Sequence, residues 1–365
     1  MFRNKKVVVL GASLGGLSAA ISLLEKGIPT TLIDAASGPF LKTCGEFLSH
    51  EAIDLLAKYG IRPTRALREV HLHYENCLVK APFTTPCASM PRLTLENLLL
   101  EHFLKLGGNA LLATKVHNIV PGPPFQLYLD KGEVIHTKDL VIATGRFQGA
   151  MPVGSLPYRG IKTHYHMASP PEALHMVFFK GGYYGLSPLD HKTAVFSCLV
   201  KQSVLDSFSD NEAFLKELLS TSPLQEYFQQ GAPLLKEPLT TPIGRFGLKK
   251  LPDWQNSYFI GDAAATIAPL SGQGMTIALT GGEMAADYIG EGLWQEYRKA
   301  WQKRYRFRIN LSRILHSGGA ASWVLSKAFP LLEKYPKTVE KLFTLLSSST
   351  LELRSSVGQE NKTRA

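Results

Sequence analysis

Two glycine-bearing segments, about 250 residues apart, restrict this chain more than anything else in it. The first runs Val7-Val8-Val9-Leu10-Gly11-Ala12-Ser13-Leu14-Gly15-Gly16-Leu17-Ser18-Ala19-Ala20 and is closed by Thr31-Leu32-Ile33-Asp34. A short apolar strand that turns straight into a helix brings backbone N–H groups and the positive helix end to one point, where a phosphate is stabilised. Glycine is required wherever a Cβ would block that approach. Gly11 makes the turn, Gly15 and Gly16 open the helix, and Gly16 permits close helix–strand packing. Ser13 holds the middle position, so the pattern is GxSxxG. Serine is small, and its hydroxyl is able to donate to a phosphate. Asp34 ends the second strand 18 residues after Gly16, where a carboxylate accepts hydrogen bonds from an adenosine ribose.

The second segment is Tyr258-Phe259-Ile260-Gly261-Asp262-Ala263-Ala264, then Pro269, then Gly272-Gln273-Gly274-Met275. A nicotinamide enzyme needs only the first unit, so this one is additional. An Asp that follows a strand and a glycine suits ribityl hydroxyls. The run Gly272–Met275 precedes a helix, expected over 276–289, whose N-terminal donors favour the negative charge of a reduced flavin edge. Together the two segments point to FAD as cofactor and to an oxidoreductase. A tight structural turn and a plain N-capped helix start are the bland alternatives.

The remaining patterns organise the chain around these segments. Helices are expected at 16–26, 48–59, 94–105, 203–220 and 274–289, and from about 293 onward with turns at Gly318-Gly319, Pro330 and Pro336. Arg68–Tyr74 and Cys77–Phe83 read as a strand pair. The aromatic and β-branched stretch 159–200, punctuated by glycine, reads as an antiparallel sheet. The expected fold class is therefore α/β: a Rossmann-like FAD-binding domain (1–69, 91–158 and 240–292) interleaved with an antiparallel-sheet substrate domain (70–90 and 159–239). A helical C-terminal region (293–365) follows, with its last ten residues frayed. A chain of 365 residues suits two cores better than one.

The four cysteines, Cys44, Cys77, Cys87 and Cys198, show neither CxxC pairing nor metal-ligand spacing, so they read as free thiols in a reducing compartment, and no metal is expected. A strand begins within the first residues, which leaves no room for a signal peptide, and no uncharged apolar run is long enough to span a bilayer. A cytoplasmic location follows as an expectation. The net charge of +10 is concentrated late, at Arg298, Lys299, Lys303, Arg304, Arg306, Arg308 and Arg313, near Trp294, Trp301 and Trp323. That pattern suits an anionic membrane face, or else a solvated helix packed on the FAD domain. No nucleic-acid motif is present.

With these residues in place the chain resembles the p-hydroxybenzoate-hydroxylase-like flavoproteins, which include class A flavin monooxygenases, geranylgeranyl reductases and flavin halogenases. The resemblance is carried by Gly11–Ala20, Asp34, Asp139–Gly145, Gly261–Ala264, Pro269 and Gly272–Met275, and it spans roughly residues 5–290 in order. Cys44-Gly45-Glu46 and Pro91-Arg92-Leu93 look most like the geranylgeranyl-reductase branch. The resemblance implies that Asp262 meets the ribityl chain, Gly272–Met275 the isoalloxazine edge, Arg92 the phosphates or ribityl, the Val116 backbone the adenine, and Pro269 the ring. Two departures stand out. Ala143-Thr144-Gly145-Arg146 replaces the hydroxylases' GADG-type stretch, which leaves direct use of NADH or NADPH as electron donor open, with a reductase partner as the other source. The halogenases' WxWxIP stretch is absent, with Gly182–Pro188 in a comparable place, so halogenation is not expected.

The leading expectation is a monooxygenase acting on a hydrophobic substrate of polyketide, aromatic or lipid-like type. The alternative is a reductase that saturates C=C bonds, and a lesser one is a flavin-binding protein without catalysis. Candidate catalytic residues are Cys44, Tyr183 and Tyr184. Cys44 gates or tunes the flavin, or is a buried small hydrophobe. The tyrosines line the pocket, or fill a sheet core. His164 and His166 share one strand face, and Arg146 pairs with an acidic substrate or caps a strand end.

Overall fold

The computed structural model describes residues 7–130, 132–146, 156–319 and 321–347. The frayed tail expected over the last ten residues lies outside them. The fold is mixed α/β. A five-stranded parallel sheet has the order Ser257–Phe259, Asp139–Ile142, Val7–Leu10, Thr30–Ile33, Asn109–Leu111. Its strands are continuous apolar runs because both faces are covered: Val7, Val9, Leu32, Leu140 and Val141 have no exposed surface.

The helix Leu14–Glu25 leaves the first strand directly. It packs on the helix Gly274–Glu291, which carries the end of the second motif. Small residues allow the two backbones to meet. A Cβ on Gly282 would fall 2.4 Å from the Gly15 carbonyl oxygen, and Ser18 Oγ donates to the Leu279 carbonyl at 2.7 Å. Segments far apart in sequence thus share one helix–helix contact, which sets the spacing of the site described below.

The larger sheet has nine strands and is antiparallel except where Leu174–Phe179 runs parallel to Arg65–Tyr74. The strand pair expected at 68–74 and 77–83 is longer, Arg65–Tyr74 and Cys77–Ser89, with a bulge between Leu67 and Glu69. The two faces of the sheet bury different partners. Val177, Tyr184, Leu186 and Phe196 pack with Phe214 and Leu215 of the helix Asn211–Ser220. Val70, Leu72, Phe178 and Tyr183 pack with Leu325, Phe329 and Val339 of the C-terminal helices. A separate three-stranded meander, Val116–Val120, Phe125–Leu129 and Val134–Thr137, packs Phe125, Leu127 and Leu129 into the core of the parallel sheet.

The C-terminal region forms three helices, Trp294–Gly319, Ser322–Lys334 and Lys337–Ser347. The turn expected at Pro330 is absent, and the helix passes through it. Pro330 removes one backbone donor, but the residue is exposed and the buried Leu325 and Phe329 hold the helix against the sheet. Among the described residues no helix is long and apolar enough to cross a membrane.

Candidate active-site cleft

An open cleft of about 270 Å³ lies between the parallel sheet, the larger sheet and the last helix. Ser13, Gly15, Gly261, Asp262, Pro269, Gly272, Gly274 and Met275 all line it, so both sequence motifs face one space. Cys44, Arg92 and Tyr183 line it too.

Gly11 and Gly16 act from behind the wall. Gly11 has φ +110, and a Cβ there would sit 2.4 Å from the Ala143 carbonyl oxygen, while one on Gly16 would sit 1.8 Å from the Gly11 carbonyl oxygen. These two glycines let the turn close and cross the neighbouring strand; Ser13 and Gly15 are what the cleft sees. Asp34 pins the same turn: Oδ2 accepts from the Ala12 N–H at 2.6 Å and Oδ1 from the Ala36 N–H at 2.8 Å.

Two helices of 12 and 18 residues, Leu14–Glu25 and Gly274–Glu291, start on the cleft, and neither has a side-chain cap or an acidic residue in its first turn. Their leading N–H groups are left to whatever occupies the cleft, which favours an anion. Two such helix starts on one wall suit the anionic groups of a dinucleotide.

Two buried carboxylates meet Arg92 at the cleft wall. Glu96 accepts from Ser13 Oγ (2.6 Å) and Arg92 Nε (2.9 Å) on Oε1, and from Lys42 Nζ (2.5 Å) on Oε2. Arg92 Nη2 also donates to Ser13 Oγ at 3.0 Å. Burial pushes the Glu96 pKa up, but Arg92 and Lys42 outweigh it and hold the carboxyl below its ordinary range.

The second carboxylate, Glu46, is fully buried at a left-handed φ of +57. Its Oε1 accepts from Lys162 Nζ (2.5 Å) and from the Arg92 backbone N–H (2.9 Å); its Oε2 lies 2.7 Å from His164 Nε2. Burial is again the largest effect and raises the pKa, yet His164 and Lys162 together bring it below the ordinary value. The Glu46 N–H donates to Cys44 Sγ at 3.3 Å, tying the cysteine loop to this network. Glu46 is a site residue that the sequence reading passed over in favour of its neighbour Cys44. Lys162 was not singled out at all.

Other expectations move. Tyr184 is not on the cleft: it points to the opposite face of the sheet, and its hydroxyl bonds Ser222. Tyr183 and Tyr184 are consecutive in one strand, so only one of them is able to face the cleft. Burial raises the Tyr183 pKa well above its ordinary value, so the hydroxyl stays protonated. Val116 does not line the cleft; it starts the meander opposite Leu129. Arg146 Nε lies 3.6 Å from Asp262 Oδ2, so its anionic neighbour is a residue of the second motif. His164 meets Glu46, whereas His166 two residues on is exposed. Among the described residues no group of three or more His, Cys, Asp or Glu side chains is placed to hold a metal ion.

Residues 5–174, just under half of the chain, match the family model for pyridine nucleotide-disulphide oxidoreductases. A menaquinone reductase from Mycolicibacterium smegmatis is 25% identical over 351 residues, covering 85% of this chain and 83% of the relative. A flavoprotein/dehydrogenase from Cytophaga hutchinsonii superposes with a TM-score of 0.79 at 16% identity, covering 94% and 92% of the two chains. The flavin-dependent brominase Bmp2 does so with a TM-score of 0.77 at 15% identity, covering 98% and 99%. The chain has the fold of a flavin-dependent oxidoreductase. At these identities the likeness to the brominase is one of fold and carries no halogenation chemistry.

Proposed function

We propose that the chain binds FAD along this cleft and is an FAD-dependent reductase of a long apolar substrate of isoprenoid or quinone type. The observation that carries this is the continuity of one cleft from the Ser13–Gly15 turn past Asp262 and Met275 into a chamber lined by Leu174, Met176, Tyr183, Leu199, Ile243 and Phe343. When bound, FAD supplies the electrons. The protein does the rest: Ser13, Arg92 and the uncapped helix starts hold the anionic groups, Asp262 orients the ribityl hydroxyls, and Pro269 and Gly272–Met275 set the ring edge. The apolar chamber excludes water and aligns the substrate.

The sequence alone put a monooxygenase first. The similarity to menaquinone reductase along most of both chains reverses that order, and the cysteine loop at the cleft wall supports the same branch. The monooxygenase reading keeps one support, the same apolar chamber. Turnover of an apolar alkene under nitrogen, with NADH or NADPH bleaching the flavin, tests the reductase; substrate-stimulated oxygen uptake that vanishes under nitrogen would replace it with the monooxygenase. Purified protein should be yellow, and Asp262→Ala should lose most of its flavin absorbance at 450 nm or so, on the order of tenfold weaker retention from losing charge-assisted hydrogen bonds. A variant that retains full absorbance would remove Asp262 from the site.

A further inference from the structure

The basic helix Trp294–Gly319, where the sequence suggested membrane contact, turns Trp301 and Arg308 inward. Trp301 is buried, and Arg308 is buried and bonded at both Nη atoms to Glu51 (2.8 and 2.7 Å). The next helix, Ser322–Lys334, is built the other way. Leu325 and Phe329 on one side pack into the sheet beside Phe178 and Tyr183. The opposite side leaves Trp323 71%, Leu331 60% and the following Tyr335 56% exposed. Trp323, Lys327, Pro330, Leu331 and Lys334 recur at helical spacing, so they form one stripe. On the preceding helix Ile314 is 64% exposed.

Large apolar side chains left this open on a folded surface mark an interaction face. Charge identifies the occupant. Residues 297–341 contain eleven Lys or Arg against Glu333 and Glu340; of the eleven, Arg308 is buried against Glu51 and Arg298 lies 3.7 Å from Asp253. Lys327, Lys334, Lys337 and Lys341 are exposed around the stripe. A tryptophan and a tyrosine among lysines, beside leucine and isoleucine, suit the headgroup level of an anionic bilayer, where apolar burial and electrostatic attraction act together.

We infer that this face of the helix Ser322–Lys334 docks on an anionic membrane surface. The docking stands without the proposed activity, while its use, passing an apolar substrate from bilayer to chamber, rests on that activity. The geometry suits the use: Phe329 on the helix's inner face packs on Phe178, which packs on Tyr183, and Tyr183 lines the cleft.

Flotation of the full chain with vesicles tests this without any turnover. Vesicles of equal parts phosphatidylcholine and phosphatidylglycerol should carry the protein to the top at low salt and release it at high salt. Phosphatidylcholine alone should carry far less. Trp323→Glu with Leu331→Glu should abolish flotation with the flavin spectrum unchanged, and Lys327→Gln or Lys334→Gln should each weaken it about fivefold, the equivalent of ~1 kcal/mol per basic residue. Equal flotation of the double glutamate variant, or none of the wild type at low salt, overturns the proposal. So does a wild-type dimer in light scattering that the glutamate variant converts to monomer, since a second copy would then cover the face. A colourless protein that still floats would sink the activity and leave the docking intact.

Discussion

Glu96 and Glu46 are both fully buried and both have pKa values held below the ordinary carboxyl range, yet they are built differently. Glu96 is held by Arg92 and Lys42, whose side chains are about a fifth exposed, and its network ends on Ser13 in the glycine turn. Glu46 is held by Lys162, which is as buried as itself, and by His164. One carboxylate organises a place where charge meets the cleft. The other joins three separate segments, the cysteine loop, the start of the helix Arg92–Lys105 and a strand of the larger sheet, in the interior of the protein. Water reaches both cations of the first; in the second Lys162 is fully buried, while His164 is 14% exposed and Glu46 lines the cleft. The energetic consequence of breaking each should differ accordingly.

The largest effect is expected at Lys162. Lys162→Met leaves the buried Glu46 with His164 as its remaining side-chain partner, and urea unfolding should show a loss of about 3–5 kcal/mol. Adding Glu46→Gln should recover part of that loss, because the unpaired charge goes with it; strictly additive losses would show that the two residues do not act as a pair.

Next comes acid. The native pKa of each carboxylate lies below the unfolded one, so each contributes stability that is present above about pH 4.5 and is lost as pH falls through the native value. Glu46→Gln and Glu96→Gln should each flatten the fall of unfolding free energy below that pH. An unchanged acid limb in either variant would remove that carboxylate from the account.

Lys42→Met should cost less, about 1.5 kcal/mol, since Arg92 remains and water reaches the site. A cost matching that of Lys162→Met would erase the contrast between the two networks. The smallest effect is expected for Ser13→Ala, about 1 kcal/mol in thermal unfolding, from one hydroxyl between Arg92 and Glu96. Flavin retention, measured by absorbance after gel filtration, should fall more visibly than stability does, because Ser13 faces the cleft.

How far the sequence exposed these features depended on the range of the interactions. The strand–turn–helix over 7–25 and the helix from Gly274 are local, written in glycines and apolar runs, and both could be read directly. That Ser13 and Asp262 face one cleft follows once their helices pack through Gly15 and Gly282. The Glu46 network depends on Lys162 and His164, more than a hundred residues away. A lysine in a strand otherwise rich in aromatics gave no sign that it would be buried. Tyr184 was misplaced for a simpler reason: period-two alternation puts it opposite Tyr183, and the pair was taken together. Pro330 read as a stop because local propensity disfavours it, and tertiary anchoring through Leu325 and Phe329 overrode that preference.

Among the described residues beyond Ala278, Phe343 alone lines the cleft, and it comes from the helix Lys337–Ser347. Part of the chamber's roof is thus hung from the tail of the polypeptide, past the break at Tyr335-Pro336. Clipping the chain at that break would unroof the pocket while leaving the dinucleotide cradle whole, separating how well the protein holds its flavin from how long a guest it admits.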